Sequence, residues 1–235
     1  MTRNLCADVK AVLLDIEGTI MSHSFVKEVL LPYVSANISD YVWDYELDLA
    51  QHLGAVRAEE KNPDLSIQEV IEVLLRYIEE DAENKSLQAL QALVFAQGYE
   101  SHNVRTPVYE DALRAFKRWR EQRVQIHVYS SRSAQEQRLL FAHTQVGDIN
   151  GSFDKVFDTQ IGERELSQSY EKIVASIGFP ASDVLFITDN VEYAVTASNA
   201  QMEVIVLDRQ ACLEDAYGRQ IQHDFDSILP ETVSA

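Results

Sequence analysis

Residues 11–19 read AVLLDIEGT: four apolar residues that stop at an aspartate, with a glutamate and a glycine just beyond. A run this short, this aliphatic and free of polar alternation predicts a strand covered on both faces, as in a parallel sheet. The pattern recurs along the chain. Val124–Tyr129 stops at Ser130 and Ser131, Val184–Ile187 at Thr188 and Asp189, and Val204–Leu207 at Asp208. Helical patterns lie between these runs. Ala112–Gln122 spaces Leu113, Phe116 and Trp119 along one face, and Ala134–His143 and Ser167–Ile177 read similarly. Gly178 stands where the last helix needs a C-cap, with Pro180 just beyond. Strands alternating with helices make an α/β fold, here a doubly wound parallel sheet.

The first two strands are separated by more than a hundred residues, too many for a loop. From about Phe25 to Gln97 that interval reads as helices, which predicts an inserted helical domain at 22–105 and an α/β core from 1–21 and 106–235. Between Asp40 and Lys85 there are 13 acidic and 4 basic residues, half of the chain's net charge of −18 over 235 residues. So acidic a chain argues against a broad nucleic-acid or anionic-membrane surface, while leaving room for one small anion held by a metal or an arginine. Cys6 and Cys212 form no disulfide framework or zinc motif, and no apolar stretch approaches the ~18 residues of a membrane helix. These features predict a cytoplasmic protein, with no secretory signal visible. Trp119 and Tyr129 read as packing residues, and the chain from Ala211 onward as a loosely held tail.

In an open parallel sheet, ligands bind beyond the carboxyl ends of the strands. There the first strand offers Asp15-Ile16-Glu17-Gly18-Thr19, the second Ser130-Ser131 and the third Thr188-Asp189-Asn190. Carboxylates brought together from two strands repel unless a cation lies between them, and hard oxygen donors suit Mg²⁺. An aspartate beside such an ion can attack phosphorus. A carboxylate two residues on can move protons, and serine hydroxyls can hold phosphate oxygens. No GxxxxGK[ST] or GxSxG motif points to a competing chemistry.

DIEGT, YSS and TDN at three successive strand ends resemble the haloacid dehalogenase superfamily. Further segments resemble one branch of it, the enolase-phosphatases of methionine salvage: SFVKEVLLPY, LQALVFAQGYES, PVYEDALRAFKRWRE, VYSSRSAQEQRLLFAHT, FDTQIG and SYEKIVASIG. The likeness runs from about Ala11 to Asp208, and Glu17, where most of the superfamily has Asp, is specific to that branch. It implies a helical cap domain at 22–105 and a monomer holding one Mg²⁺. Asp15 would be the nucleophile and a metal ligand, and Glu17 the acid/base and a ligand through its carbonyl or side chain. Asp189 would be the third ligand, while Ser130, Ser131 and Arg164 would bind phosphate. Phe95, Tyr99 and Arg105 would be cap contacts, the first two facing a methylthio tail. The implied reaction is that of an acireductone synthase. A 2,3-diketo-5-methylthiopentyl 1-phosphate is enolised and then loses phosphate through an aspartyl-phosphate.

Several positions depart from the family pattern. Arg164 stands for a lysine, and Arg132, expected to point outward, for a glycine. His102 also stands for a glycine, and Tyr193 for an acid whose nearest substitute is Glu192. Two alternatives therefore stand beside the enolase-phosphatase reading. One is a phosphatase of the same fold with a different small phosphate ester. The other is a non-catalytic relative that binds a metal or a partner.

Overall fold

The computed structural model describes residues 9–80, 82, 84–213 and 215–229. The chain divides into two compact units, Met1–His23 with Thr106–Ala235, and Ser24–Arg105.

The first unit is built on a six-stranded parallel sheet of order β3-β2-β1-β4-β5-β6. The strands are β1 Ala11–Leu14, β2 Gln125–Tyr129, β3 Lys155–Phe157, β4 Val184–Thr188, β5 Glu203–Leu207 and β6 Gln220–Gln222. All four residues of β1 are buried, because both faces of the sheet are covered. Ala11 and Leu13 pack with Tyr170 and Ile173 and with Ala194 and Ala197 in one apolar cluster. Val12 and Leu14, alternating along the strand, point to the other face. Parallel pairing sets Leu14 beside Val128 of β2 and beside Ile187 of β4. The residues that follow these three strands therefore emerge together at one edge. From β1 the chain winds outward to β3, then restarts at β4 and winds the other way. The crevice between β1 and β4 is the topological switch point of the sheet, where open α/β folds bind ligands.

β3 and β6 are absent from the sequence reading. Each is three residues long with half-exposed or exposed positions, so neither carries the buried aliphatic run that marks the others. β6 also corrects the expectation of a loosely held tail. It pairs with β5, and beyond it Phe225 and Ile228 are buried. Arg118 donates to the carbonyls of Phe225, Ile228 and Leu229, and the Trp119 ring lies 5.6 Å from that of Phe225. Residues 230–235 and Cys6 lie outside the described residues; Cys212 is a free, exposed thiol.

The second unit is helical: α1 Leu31–Asp44, α2 Ala50–Glu59, α3 Ile67–Glu79 and α4 Lys85–Glu100. Ser66 and Glu69 close a capping box that starts α3. Val34, Ile38, Val42, Leu53, Leu74 and Leu90 form its core. Among the described residues, no helix is long and apolar enough to cross a membrane.

His127 on β2 is fully buried, and its Nδ1 has no hydrogen-bond partner among the described residues. Burial, helped by Lys155 and Arg120 and opposed by Asp154, pushes its pKa from 6.5 down to about 4. Between these values the unfolded chain takes up a proton that the folded chain refuses. Stability is therefore fully present above about pH 6.5 and falls as the pH drops toward 4, by roughly 2–3 kcal/mol. Chemical denaturation midpoints measured against pH are expected to show this limb, and His127→Leu is expected to flatten it.

Candidate active site

Asp15 emerges from β1 into a cleft of about 670 Å³. The lining includes Asp15, Glu17, His23, Arg164, Asp189, Glu192 and Tyr193, all from the first unit. Its backbone is set by a bond from Asp15 N–H to the Ile187 carbonyl at 3.0 Å. Its carboxylate is held at both oxygens. Oδ1 accepts from the Ile16 N–H at 2.8 Å, while Oδ2 accepts from Arg164 Nη2 at 2.5 Å and from Thr188 Oγ1 at 2.8 Å. Burial pushes the Asp15 carboxyl up from its ordinary range, and the charge of Asp189 adds to this; Arg164 and the Thr188 hydroxyl oppose it.

Arg164 reaches Asp15 because the 162–164 loop is tied down on several sides. Tyr129 donates to the Gly162 carbonyl at 2.8 Å, Ser169 Oγ to that of Glu163 at 2.6 Å, and Tyr170 to that of Arg164 at 3.0 Å. Gly162, at φ +148°, packs its α-carbon onto the Ser169 side chain, where a β-carbon has no room. Arg164 is thus a buried partner of the strand-end aspartate, not a surface arginine paired with Glu163 or Glu165.

Glu17 and Asp189 are also engaged by basic side chains. Arg132 Nε donates to Glu17 Oε1 at 2.6 Å, with both side chains largely buried. This corrects the expectation that Arg132 points outward: it turns into the site. His23 Nε2 lies 2.6 Å from Asp189 Oδ2. His23 is absent from the sequence reading, since a single histidine at the start of a helix carries no local signal. Gly18, at φ +71°, brings the backbone so close to Asp189 that a β-carbon there would fall on its carboxylate. Asp189 N–H is bonded to Thr19 Oγ1 at 3.2 Å, which stitches the β1 and β4 loops together.

The remaining residues singled out by sequence fall into two groups. Ser130 is fully buried and its Oγ accepts from the Arg132 N–H, whereas Ser131 is exposed. Asn190 caps the helix Val191–Asn199 by accepting from the N–H groups of Glu192 and Tyr193. That cap fixes the register, so no slip brings Glu192 into the place of Tyr193. Glu192 is exposed at the rim, and Tyr193 is half-buried against Arg164. Phe95, Tyr99 and Arg105 belong to the second unit. Phe95 packs on that unit's core, Tyr99 is buried and Arg105 is exposed. His102 sits at φ +60°, a left-handed conformation that favours the glycine of the family pattern.

The donor set fits a hard dication. Asp15, Glu17, Asp189 and Glu192 face two arginines, Arg164 and Arg132, which leaves two negative charges when the imidazole is set aside. Every anionic donor is an oxygen, as Mg²⁺ requires. Among the described residues, no three His, Cys, Asp or Glu side chains converge to hold a metal by themselves. An ion here would take two carboxylates at most and complete its shell from backbone carbonyl, water and substrate.

Residues 9–201 match the family described as haloacid dehalogenase-like hydrolase. The chain is 40% identical over 225 residues to an enolase-phosphatase E1 of Pseudomonas aeruginosa, covering 95% of this chain and 99% of that one. It is 35% identical over 229 residues to the enolase-phosphatase E1 of Erwinia tasmaniensis, covering 97% and 100%. Among solved structures, the Unknown transcript 4 protein of Saccharomyces cerevisiae superposes with a TM-score of 0.80 at 29% identity, covering 94% of this chain and all of that one. CbbY of Rhodobacter sphaeroides, solved in complex with phosphate, shares the fold at a TM-score of 0.60 and 12% identity, covering 93% and 96%. With a match along most of its length and relatives that it spans almost end to end, the chain belongs to the haloacid dehalogenase-like hydrolases, in the enolase-phosphatase E1 family.

Proposed function

We propose that this chain is a cytoplasmic, Mg²⁺-dependent acireductone synthase of methionine salvage. It would enolise 2,3-diketo-5-methylthiopentyl 1-phosphate and then release its phosphate. The observation that carries the reading is the pairing at the switch point of the sheet. There the buried Asp15 carboxylate is locked by Arg164 and Thr188 and faces the same cleft as Asp189.

Asp15 attacks phosphorus, the bond from phosphorus to the substrate oxygen breaks, and an aspartyl-phosphate forms. Water then attacks that phosphorus and releases orthophosphate, restoring the carboxylate. Because the phosphate leaves from an enol oxygen, the departing group is a weaker base than an alkoxide and needs less help from a proton donor. This agrees with the engagement of Glu17 by Arg132: to move a proton, Glu17 must share or leave that contact. Arg164 neutralises charge on the transferring group, and the buried hydroxyl of Ser130 supplies a hydrogen bond to it; the exposed Ser131 is a weaker candidate. Mg²⁺, held by Asp15, Asp189 and the Glu17 carbonyl, would act as a Lewis acid toward both the phosphoryl and the carbonyl oxygens. The helical unit would serve as a cap that excludes water from the enediol, with Phe95, Tyr99 and Arg105 as its contacts.

The test follows the transient enol by absorbance and free phosphate by colorimetry in one reaction on the diketo phosphate. Both signals are expected, both stopping on chelation and returning with Mg²⁺. Phosphate release without the enol would replace this reading with a phosphatase of altered chemistry. No turnover by folded, Mg²⁺-loaded protein would overturn it.

A further inference from the structure

Arg164 sits in an unusual setting for a guanidinium. It is 7% exposed, and the only hydrogen bond that its guanidinium makes to a described residue runs from Nη2 to Asp15. Its Nε is buried without a hydrogen-bond partner among the described residues. A guanidinium presents five N–H donors in one rigid plane, so leaving a buried donor unused needs some other force to set that plane. That force is aromatic. The Tyr193 ring centroid lies 4.1 Å from the Arg164 Cζ, and the Tyr129 ring lies 5.6 Å away. A weakly hydrated guanidinium stacks well on such faces.

Tyr193 is itself held in place. The Asn190 cap binds its backbone N–H at 3.1 Å, and its hydroxyl lies 3.4 Å from Glu165 Oε1. A ring steers the guanidinium without offering it an acceptor. A carboxylate at the same point would compete with Asp15 for the donors of Arg164, and an arginine has enough of them to be drawn away.

We infer that Tyr193 is the positioning residue for Arg164: its ring sets the guanidinium plane so that Nη2 stays on Asp15 and the remaining Nη donors are available to an oxyanion in the cleft. This rests on the reading of Arg164 as a phosphate contact, but the first arm of the test does not need turnover.

That arm is the ¹H–¹⁵N signal of Arg164 Nε, assigned with Arg164→Lys and compared in the wild type, Tyr193→Phe, Tyr193→Leu and Tyr193→Glu. The ring current of Tyr193 is expected to displace the signal in the wild type and in Tyr193→Phe, and the displacement is expected to vanish in Tyr193→Leu. The second arm is the affinity for inorganic phosphate in the presence of Mg²⁺. Tyr193→Phe is expected to stay within threefold of the wild type. Tyr193→Leu is expected to lose about tenfold, with kcat/KM falling by a similar factor, and Tyr193→Glu to lose more. Should Tyr193→Leu fail to fold, Tyr193→Met carries the same expectation. An unchanged Arg164 signal and phosphate affinity in the aliphatic variant, or Tyr193→Glu matching Tyr193→Phe, would overturn the inference. If the wild type does not turn over the diketo phosphate while the signal and the phosphate affinity follow the expected order, the substrate assignment fails and the role of Tyr193 stands.

Discussion

Asp15→Asn is expected to lower phosphate release by at least about 10⁴-fold, the scale seen when a nucleophile that acts in concert with its neighbours is removed. The amide is close to isosteric but keeps a single oxygen, so it can accept either from the Ile16 N–H or from Arg164 and Thr188, not from both sides. What disappears is the negative charge, and with it both the nucleophile and the counterion of a buried guanidinium. Removing one partner of a buried ion pair costs about 3–5 kcal/mol, because the other charge stays desolvated. The variant should therefore be less stable as well as inactive, and both quantities must be measured on it. If it does not fold, the wild type still decides the question. Borohydride reduction of enzyme quenched during turnover converts an aspartyl-phosphate to homoserine, and peptide mass mapping should place that residue at position 15. A folded Asp15→Asn that keeps more than a few per cent of activity would end the assignment.

Gly18→Ala is expected to separate activity from folding. Gly18 is buried at φ +71°, and a methyl group there would collide with the Asp189 carboxylate and approach the His23 ring. Both are the ends of side chains that can rotate away, so the fold should survive, with a loss of about 1–2 kcal/mol for an alanine in the left-handed region. Asp189 cannot keep its place, however. A displacement of an ångström at a reacting centre costs about 10²-fold, and this carboxylate is also a proposed ligand. The expected outcome is a protein of near-normal melting temperature whose Mg²⁺ affinity, read by calorimetry, falls at least tenfold and whose turnover falls about a hundredfold or more. A variant that binds Mg²⁺ as the wild type does would show that Asp189 is not a ligand.

Much of the architecture was legible because burial on both faces leaves a local trace. AVLL, VQIHVY, VLFIT and VIVL are strands because only side chains like these can sit between two layers of helices. The acids and serines that follow them stand at one sheet edge because parallel strands end there together. The edge strands Lys155–Phe157 and Gln220–Gln222 left no such trace. Nor did the anchoring of the C-terminal segment, which depends on Arg118 and Trp119 more than a hundred residues earlier.

The sequence by itself determined which residues stand at the ends of the buried strands, and through their types the chemistry proposed there: an aspartate able to act as nucleophile, oxygen donors that suit a hard cation, and hydroxyls that can hold phosphate. Only the tertiary structure decided which basic side chain meets which acidic one. Arg164 lies 149 positions from Asp15, Arg132 lies 115 from Glu17, and His23 lies 166 from Asp189. No local rule spans such separations. The pairs form because strand order and loop anchoring bring these residues together and, for Arg164 and Asp15, because a buried charge that lacks a partner is too costly to keep. The same reason explains Tyr193. In the sequence it is a missing acid, and in the folded chain it is the aromatic face on which Arg164 rests.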